Sequence, residues 1–333
     1  MISTCLDLAL LCHPVLAFLT IQRPKMAAQQ SKWHYFLFSF FALLAIRYAS
    51  TTNAEPQVPQ GVAQATCQSI DQPNPIASLY PMNATGTLNG TVSVLPISLQ
   101  LTRQLIPSQY RILEHAYRHL LPAFPEGMYP AILQAVHDHE VQAFGYQIPD
   151  FSRSGIEFPF LDLLGDNTTS FKWAPSLLMS ADNEIALKGA ADYGTKTFPS
   201  SFEPACDAYS AVPDAKEPGT TSFSATSSDA GAASVSTQFS ITKEEVYPLG
   251  FFMNVTNQVI FADGKTCDNM IRLFNTSLTT SPNTIETVKG TVKAKMFPFE
   301  SEQEWECSHG IRLDTAFIEN NYLPCENFRN YGA

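Results

Sequence analysis

The sequence lacks the motifs that mark the commonest enzyme sites. It contains no G-x-S-x-G, H-E-x-x-H, P-loop or G-x-G-x-x-G segment and no C-x-x-C pair. Charged residues make up only 15% of the chain, and acidic residues outnumber basic ones by 31 to 20, with no run of lysine or arginine. These absences argue against a nucleotide-binding loop, a zinc ribbon, a thioredoxin-type redox site and a nucleic-acid partner.

Two apolar runs lie near the N-terminus, at residues 6–21 and 35–46. The second run is too short to cross a bilayer, which takes about 20 apolar residues, and small residues follow it at 52–54. We therefore predict that residues 1–54 hold a signal peptide, cleaved at the end of that range, and that the chain is secreted without a remaining membrane span. The alternative is an uncleaved signal anchor. Met26 is a second candidate start, because polar residues interrupt the first run.

Sequons and cysteines fit export. Five N-x-S/T sequons predict N-glycosylation at Asn83, Asn89, Asn167, Asn254 and Asn275. The cysteines that remain after cleavage are the disulfide candidates Cys67, Cys206, Cys267, Cys307 and Cys325. Five cysteines in an oxidising compartment predict two disulfides and one free thiol, and the sequence leaves the pairing open.

The rest of the chain divides into a lead-in and one domain. Residues 55–79 are rich in Gln and Pro without periodicity, so we expect an extended segment there, and a single domain over 80–333. Residues 107–121 have the apolar spacing of a helix that starts and stops at proline. Residues 210–238 are rich in Ser, Thr, Ala and Gly, which predicts an inserted loop.

Strand patterns occupy most of the remaining domain. Short apolar runs, separated by Gly, Asn, Asp and Pro, begin at residue 131 and include 184–189 and 245–255. No repeat of 20 to 50 residues is present. We therefore expect a fold dominated by strands.

Two histidine pairs have spacings that a metal can use. His115 and His119 are four residues apart on the predicted helix, but they lie opposite its apolar stripe, so we expect them at the surface. His137 and His139 flank Asp138 on a predicted strand and share one face, as H-x-H ligands do in cupin barrels. The carboxylate that a cupin places a few residues later is missing, so we predict no metal and no cofactor.

Residues 155–204 have the motif order of a known family. Gly155 and Glu157 are followed by an aromatic-rich strand, an Asp-Asn-Glu turn at 182–184, an apolar run and Gly189. This order resembles the central part of the acetoacetate decarboxylase superfamily. The resemblance extends over residues 110–205, about a third of the chain.

The resemblance implies both a fold and a mechanism. The fold would be α+β and predominantly antiparallel β, a closed β-barrel with a few peripheral helices around an apolar pocket. The mechanism would use a lysine amine that attacks a β-keto acid, so that the resulting imine accepts electrons as carbon dioxide leaves. A lysine with an ordinary pKa of about 10.4 is almost all ammonium at neutral pH, so burial or a nearby cation must lower that pKa.

The alignment with the family's motifs does not decide which lysine would be the nucleophile. Counting from Gly189, the position of the family's lysine falls on Thr197, and the nearest lysine is Lys196. We take Lys196 as the candidate nucleophile, with an exposed turn lysine as the alternative. Lys172, Lys188 and Asp192 are further candidates.

Glu157 is the candidate acid or base. It lies in an apolar strand, where burial would raise the pKa of its carboxyl group. The alternative is a carboxylate at a sheet edge that faces water.

The sequence thus predicts a secreted glycoprotein whose pocket takes a small carbonyl compound. If the chain is an enzyme, it is a lyase of secondary metabolism that decarboxylates a β-keto acid, or that performs an aldol or cyclisation step on a polyketide-like compound without a Schiff base. The alternative is a non-catalytic binding or structural glycoprotein on the same scaffold. The substrate and the oligomeric state stay open.

Overall fold

Strands form most of the structure, which is a computed structural model that describes residues 72–229 and 231–332. The strands found there are β1 (Ala84–Ser98), β2 (Arg111–Ile112), β3 (Met128–Ala143), β4 (Tyr146–Ile148), β5 (Phe151–Asp162), β6 (Phe171–Trp173), β7 (Ser176–Ser180), β8 (Lys196–Glu203), β9 (Ser210–Ala211), β10 (Thr221–Ser227), β11 (Ser234–Ile241), β12 (Val259–Phe261), β13 (Thr266–Leu273), β14 (Glu286–Lys295) and β15 (Gln303–Pro324). The helices found there are α1 (Leu99–Leu105), α2 (Glu114–Leu120), α3 (Glu184–Ala191), α4 (Leu249–Asn257) and a 3-10 turn at Cys325–Phe328. The described residues lie in one compact unit. The predicted signal region, 1–54, and most of the lead-in lie outside them.

The strands form one mixed sheet that closes into a ring. Its main path runs β13-β12-β6-β5-β7-β8-β10-β11-β14-β15-β1-β3-β4, and the pairings β13–β15 and β3–β5 close it. Most pairs are antiparallel, and β6–β12 and β7–β8 are parallel. This confirms the predicted class, a predominantly antiparallel β fold with few helices.

Two long strands make the closure possible because each changes neighbour along its length. The first half of β15 pairs with β14, and its second half pairs with β13. Likewise, β5 pairs with β7 near its start and with β6 near its end. The charged residues of these strands are therefore brought together inside the ring.

Glycine allows the tightest contacts between strands of the ring. A Cβ atom at Gly310 of β15 would lie 2.3 Å from the carbonyl oxygen of Val92 in β1. A Cβ atom at Gly90 would lie 2.4 Å from the carbonyl oxygen of Ala135 in β3, and Gly90 has a φ of +153°. Side chains at these positions would push the strands apart, because backbone atoms cannot yield as side chains do.

Two predicted strands are helices. Residues 184–189 lie in α3. Asn183 caps this helix, because its side-chain oxygen accepts a hydrogen bond from the backbone N–H of Ala186 at 2.9 Å. Such a cap satisfies an N–H group of the first turn and favours a helix over a strand. Residues 249–255 of the second run lie in α4, where Phe251, Phe252 and Val255 are buried on one face.

The predicted helix at 107–121 is shorter in the structure. It is confined to α2, because residues 111–112 form β2 and pair with β5. Arg111 also forms an ion pair with Asp162 of β5, which fixes this segment as a strand. His115 and His119 are exposed on α2, as the helical pattern predicts.

The predicted loop at 210–238 is wrong, since most of this segment is sheet. It contains β9, β10 and part of β11. Along β10 and β11 every second residue is buried, including Phe223, Ala225, Val235 and Phe239. Serine and threonine alternate with these residues and are compatible with a half-buried strand, so composition alone was misleading.

No helix within the described ranges has the length and apolar character needed to cross a membrane.

One disulfide, Cys267–Cys325, connects β13 to the turn after β15, with its Cα atoms 5.0 Å apart. Cys206 and Cys307 are also disulfide-bonded. Cys67 lies outside the described residues. The Cys267–Cys325 link holds the start of β13 beside the end of β15, where the ring closes.

We expect the double variant Cys267→Ala, Cys325→Ala to lose about 4 kcal/mol of unfolding free energy, because the link closes a 58-residue loop in the unfolded chain. Urea unfolding of the oxidised protein and of the variant measures the difference. A loss of less than about 1 kcal/mol would mean that β13 and β15 stay paired without the link.

Candidate active site

A cavity of about 430 Å³ lies within the ring, beside α3. Its walls are mostly apolar and include Val141, Ile148, Phe151, Leu177, Met270 and Phe317. Its polar lining includes Asp138, Arg153, Glu157, Asp268 and Glu319. A cavity of this size, with apolar walls and a few convergent polar groups, is typical of a site for a small molecule.

Tyrosines and α3 border one part of the cavity. The Tyr322 hydroxyl donates a hydrogen bond to the Gly189 carbonyl oxygen of α3 at 3.4 Å, and the Tyr193 and Tyr322 rings are 6.1 Å apart. Lys188 and Asp192, two of the further sequence candidates, form an ion pair on the exposed side of α3. They line the cavity but are exposed to solvent.

Arg153 of β5 is buried and forms an ion pair with Asp138 of β3. Its Nε donates a hydrogen bond to the Asp138 Oδ2 at 2.7 Å. Burial alone would lower the pKa of Arg153, but the Asp138 carboxylate outweighs it and raises that pKa above its ordinary value. Arg153 is therefore a permanent positive charge at the cavity wall.

Glu157 of β5 is buried and forms an ion pair with Lys172 of β6, with 2.9 Å between Oε2 and Nζ. The predicted burial is therefore correct, whereas the predicted rise in its pKa is wrong. Burial does favour the neutral acid, but the Lys172 ammonium and the guanidinium groups of Arg272 and Arg153 together lower the pKa of Glu157 below its ordinary value. Glu157 is an ionised carboxylate that lines the cavity.

Lys172, and not Lys196, has the buried environment that lowers the pKa of a lysine. Its side chain is 1% exposed, and burial, opposed by Glu157 and reinforced by Arg272, lowers its pKa. Its Nζ also donates a hydrogen bond to the Thr256 carbonyl oxygen at 3.3 Å. Lys172 is not among the residues that line the cavity, but Glu157 connects it to that space.

Arg272 of β13 is the third buried cation of this group. Its Nη2 donates a hydrogen bond to the Gln134 side-chain oxygen. Burial and the nearby charge of Arg153 lower its pKa to about 10. It remains charged at neutral pH.

Asp268 of β13 and Glu319 of β15 form a pair of neighbouring carboxyl groups, since the charge of Glu319 acts on Asp268. Burial and the neighbouring Glu319 raise the pKa of Asp268 well above its ordinary value, and burial raises the pKa of Glu319. Both residues line the cavity. Both shifts favour the protonated form of the pair.

Lys196 lies elsewhere. It is exposed at the start of β8, with its Nζ 4.9 Å from the centre of the Phe198 ring and 6.0 Å from that of Phe297. The cavity lining does not include it. Lys196 thus has the environment of a lysine exposed to solvent, which was the alternative to a nucleophile. Its role as a nucleophile stays a prediction.

The strand histidines are buried and share one face of β3, as their spacing predicts. Their rings are stacked 6.3 Å apart. His137 Nδ1 lies 2.9 Å from the Ser152 hydroxyl, and His139 Nδ1 lies 2.9 Å from the Thr87 hydroxyl. Within the described ranges, no cluster of three or more His, Cys, Asp or Glu side chains is arranged to hold a metal ion.

Sequence reasoning missed five polar residues of the site, namely Asp138, Arg153, Asp268, Arg272 and Glu319. A signal for two of them was present. In residues 266–273, Asp268 and Arg272 interrupt one face of a strand, with Met270 between them. Charged residues on the buried face of a strand indicate a polar interior, but only the ring shows which partners they meet.

Comparisons with known proteins find similarity in structure only. No protein-family model matches the chain, and no curated protein matches it. Among solved structures it is similar to the enduracididine biosynthesis enzyme MppR with HEPES bound, at a TM-score of 0.44 and 8% identity over 73% of this chain and 88% of that one. The complex of MppR with pyruvate gives a TM-score of 0.42 and 8% identity, over 80% and 95% of the two chains.

An acetoacetate decarboxylase-like enzyme from Sphingomonas wittichii RW1 is also similar, at a TM-score of 0.38 and 8% identity over 72% of this chain and 94% of that one. We transfer no residue role and no activity from these structures.

We expect Glu157→Gln to lower the unfolding free energy by about 3 to 5 kcal/mol, because it leaves the Lys172 ammonium buried without a carboxylate. The loss should be largest near neutral pH and should shrink as the pH rises towards about 10.4, because a lysine with a lowered folded-state pKa is less costly once it is neutral.

Urea unfolding at about pH 7 and about pH 9.5 measures this change. Glu300→Gln, which alters an exposed carboxylate, is the matched control. Equal losses in the two variants at both pH values would show that the Glu157–Lys172 pair does not stabilise the fold.

Proposed function

We propose that this chain binds a small β-keto acid or polyketide-like carbonyl compound in its cavity and catalyses decarboxylation, or an aldol or cyclisation step, by acid–base chemistry without a Schiff base. The observation that carries the proposal is the ionised Glu157 carboxylate at the wall of an apolar cavity that also contains Arg153. The size of the cavity, about 430 Å³, suits a ligand of modest size.

For an aldol or cyclisation step, Glu157 acts as a general base. Its carboxylate accepts a proton from the carbon between two carbonyl groups, and the C–H electron pair forms an enolate. For decarboxylation, the C–C bond to the substrate carboxylate breaks instead, its electron pair forms the enolate as carbon dioxide leaves, and the enolate carbon then takes a proton from solvent. The fixed positive charge of Arg153 stabilises the developing negative charge, since a preorganised charge in a cavity acts without reorganisation. For an aldol or cyclisation step, the enolate carbon then attacks a second carbonyl group.

An imine at Lys172 is the second candidate mechanism, because burial lowers its pKa and so raises the fraction of free amine. It requires Lys172 to leave Glu157 and reach the ligand. Lys196 is exposed and outside the cavity, so we do not propose it as the nucleophile in this step.

We expect the wild-type protein to exchange the methylene protons of acetoacetate for deuterium in D₂O, and we expect Glu157→Gln to slow this exchange about 100-fold, because a general base is worth on the order of 10²–10⁴ in rate. Glu157→Asp should retain more exchange than Glu157→Gln because it keeps a carboxylate. Proton NMR follows the exchange and any release of acetone.

Glu300→Gln is the control and should exchange at the wild-type rate. Borohydride added with acetoacetate should leave Lys172 and Lys196 unmodified if the step is acid–base chemistry. A reduced adduct on Lys172 would establish the imine mechanism instead. Absence of exchange, with a rise in melting temperature on ligand binding, would favour the non-catalytic binding protein.

Export and glycosylation form a second part of the proposal. Asn167 and Asn275 are exposed, whereas Asn83, Asn89 and Asn254 are half-buried. Asn89 lies in the middle of β1, paired on both sides by β15 and β3. A glycan needs free space around its asparagine in the folded chain, so the exposed sites are the best acceptors.

We expect protein secreted from a eukaryotic host to carry glycans at Asn167 and Asn275 and none at Asn89. Peptide mapping before and after deglycosylation measures occupancy. Asn167→Gln and Asn275→Gln should each reduce the mass by one glycan, whereas Asn89→Gln should not. A glycan on Asn89, or retention of the whole protein inside the cell, would contradict this part of the proposal.

A further inference from the structure

Two carboxyl groups meet on adjacent strands inside the ring. Met270 of β13 pairs with Glu319 of β15, and Asp268 lies two residues before Met270, at an irregularity in this pairing. Both carboxyl groups line the cavity. Two neighbouring carboxylates repel each other, so this arrangement favours a proton on one of them.

A second observation points to a ligand. Asp268 is 1% exposed and lines the cavity, yet its Oδ1 has no hydrogen-bond partner among the residues that the structure describes. Buried polar atoms in native proteins are almost always paired. An oxygen-bearing group of a ligand in the cavity would satisfy this atom.

The charges around the pair come from several elements. Arg153 of β5, Lys172 of β6 and Asp138 of β3 act on it from the ring. Tyr193 and Tyr322 face it from the cavity border, next to the Lys188–Asp192 ion pair. Arg153 also interacts with Glu157 and Glu319, so one fixed cation acts on both the Glu157 carboxylate and the carboxyl pair.

We propose that the Asp268–Glu319 pair is the acid that protonates a ligand oxygen while Glu157 accepts the proton from carbon. This inference rests on the proposed function. It specifies the substrate class as a 1,3-dicarbonyl compound, in which one of the two carbonyl oxygens accepts the proton from the pair. The C–H bond breaks and its proton goes to Glu157. An O–H bond of the pair breaks, and its proton forms the enol O–H.

The opposite pKa shifts of the two sites support these roles. Burial raises the pKa of Asp268, whereas cations lower that of Glu157. Paired titratable groups whose environments separate their pKa values are typical of an acid and its base. Glu319 is only half-buried, so water can return the proton to the pair.

The exchange of acetoacetate methylene protons in D₂O, measured against pH, tests this role. The wild-type rate should fall at low pH as Glu157 is protonated, and at high pH as the pair loses its proton. Asp268→Asn and Glu319→Gln should each lower the rate about tenfold or more and remove the fall at high pH. Asp229→Asn, an exposed site, is the control and should keep the wild-type rate and profile.

The outcomes separate this proposal from the one on which it rests. If both pair variants keep the wild-type rate and profile while Glu157→Gln is inactive, the pair is structural and only this inference is overturned. If the wild-type protein does not exchange at all, both proposals are overturned. Should Asp268→Asn fail to fold, as circular dichroism would show, Glu319→Gln decides, because its site is half-buried.

Discussion

The ion pair between the buried guanidinium group of Arg153 and Asp138 is the interaction on which the charged interior depends. A buried cation is costly unless it is paired, and Arg153 has Asp138 as its direct partner. Its charge also acts on Glu157 and Glu319. The pKa of the Glu157 carboxyl is lowered near it, whereas burial and the neighbouring carboxyl group raise the pKa of Asp268. A single cation thus acts on carboxyl groups whose pKa values are shifted in opposite directions.

The ring makes this arrangement possible by joining distant segments of the chain. Asp138, Arg153, Asp268 and Glu319 lie on four strands, β3, β5, β13 and β15, and the closing pairings bring them to one lumen. The division of β15 between β14 and β13 decides which of its residues face the cavity. The Cys267–Cys325 link fixes β13 and β15 next to the carboxyl pair. The pairing of β13 with β15 therefore decides which carboxyl groups become neighbours at the cavity.

Glu157 and the lysines show how far sequence reasoning reaches. The apolar strand around Glu157 predicts its burial, but its pKa depends on Lys172, Arg272 and Arg153, which lie on other segments. The lysine nearest the expected register, Lys196, is exposed, whereas Lys172, a lesser candidate, is buried. In a short strand a difference of one residue moves a side chain to the other face, so register cannot be read from motif order alone.

The sequence by itself determined the dominance of strands, the surface position of the α2 histidines and the burial of Glu157, because alternation and helical spacing are local properties. It did not determine α3 and α4, because their apolar runs are equally compatible with strands. It also did not determine the β10–β11 hairpin, because its serines and threonines are typical of a loop. Only the tertiary structure decided which charges meet. The pKa of a buried group is the sum of burial and neighbouring charges, and those neighbours come from strands far apart in the chain.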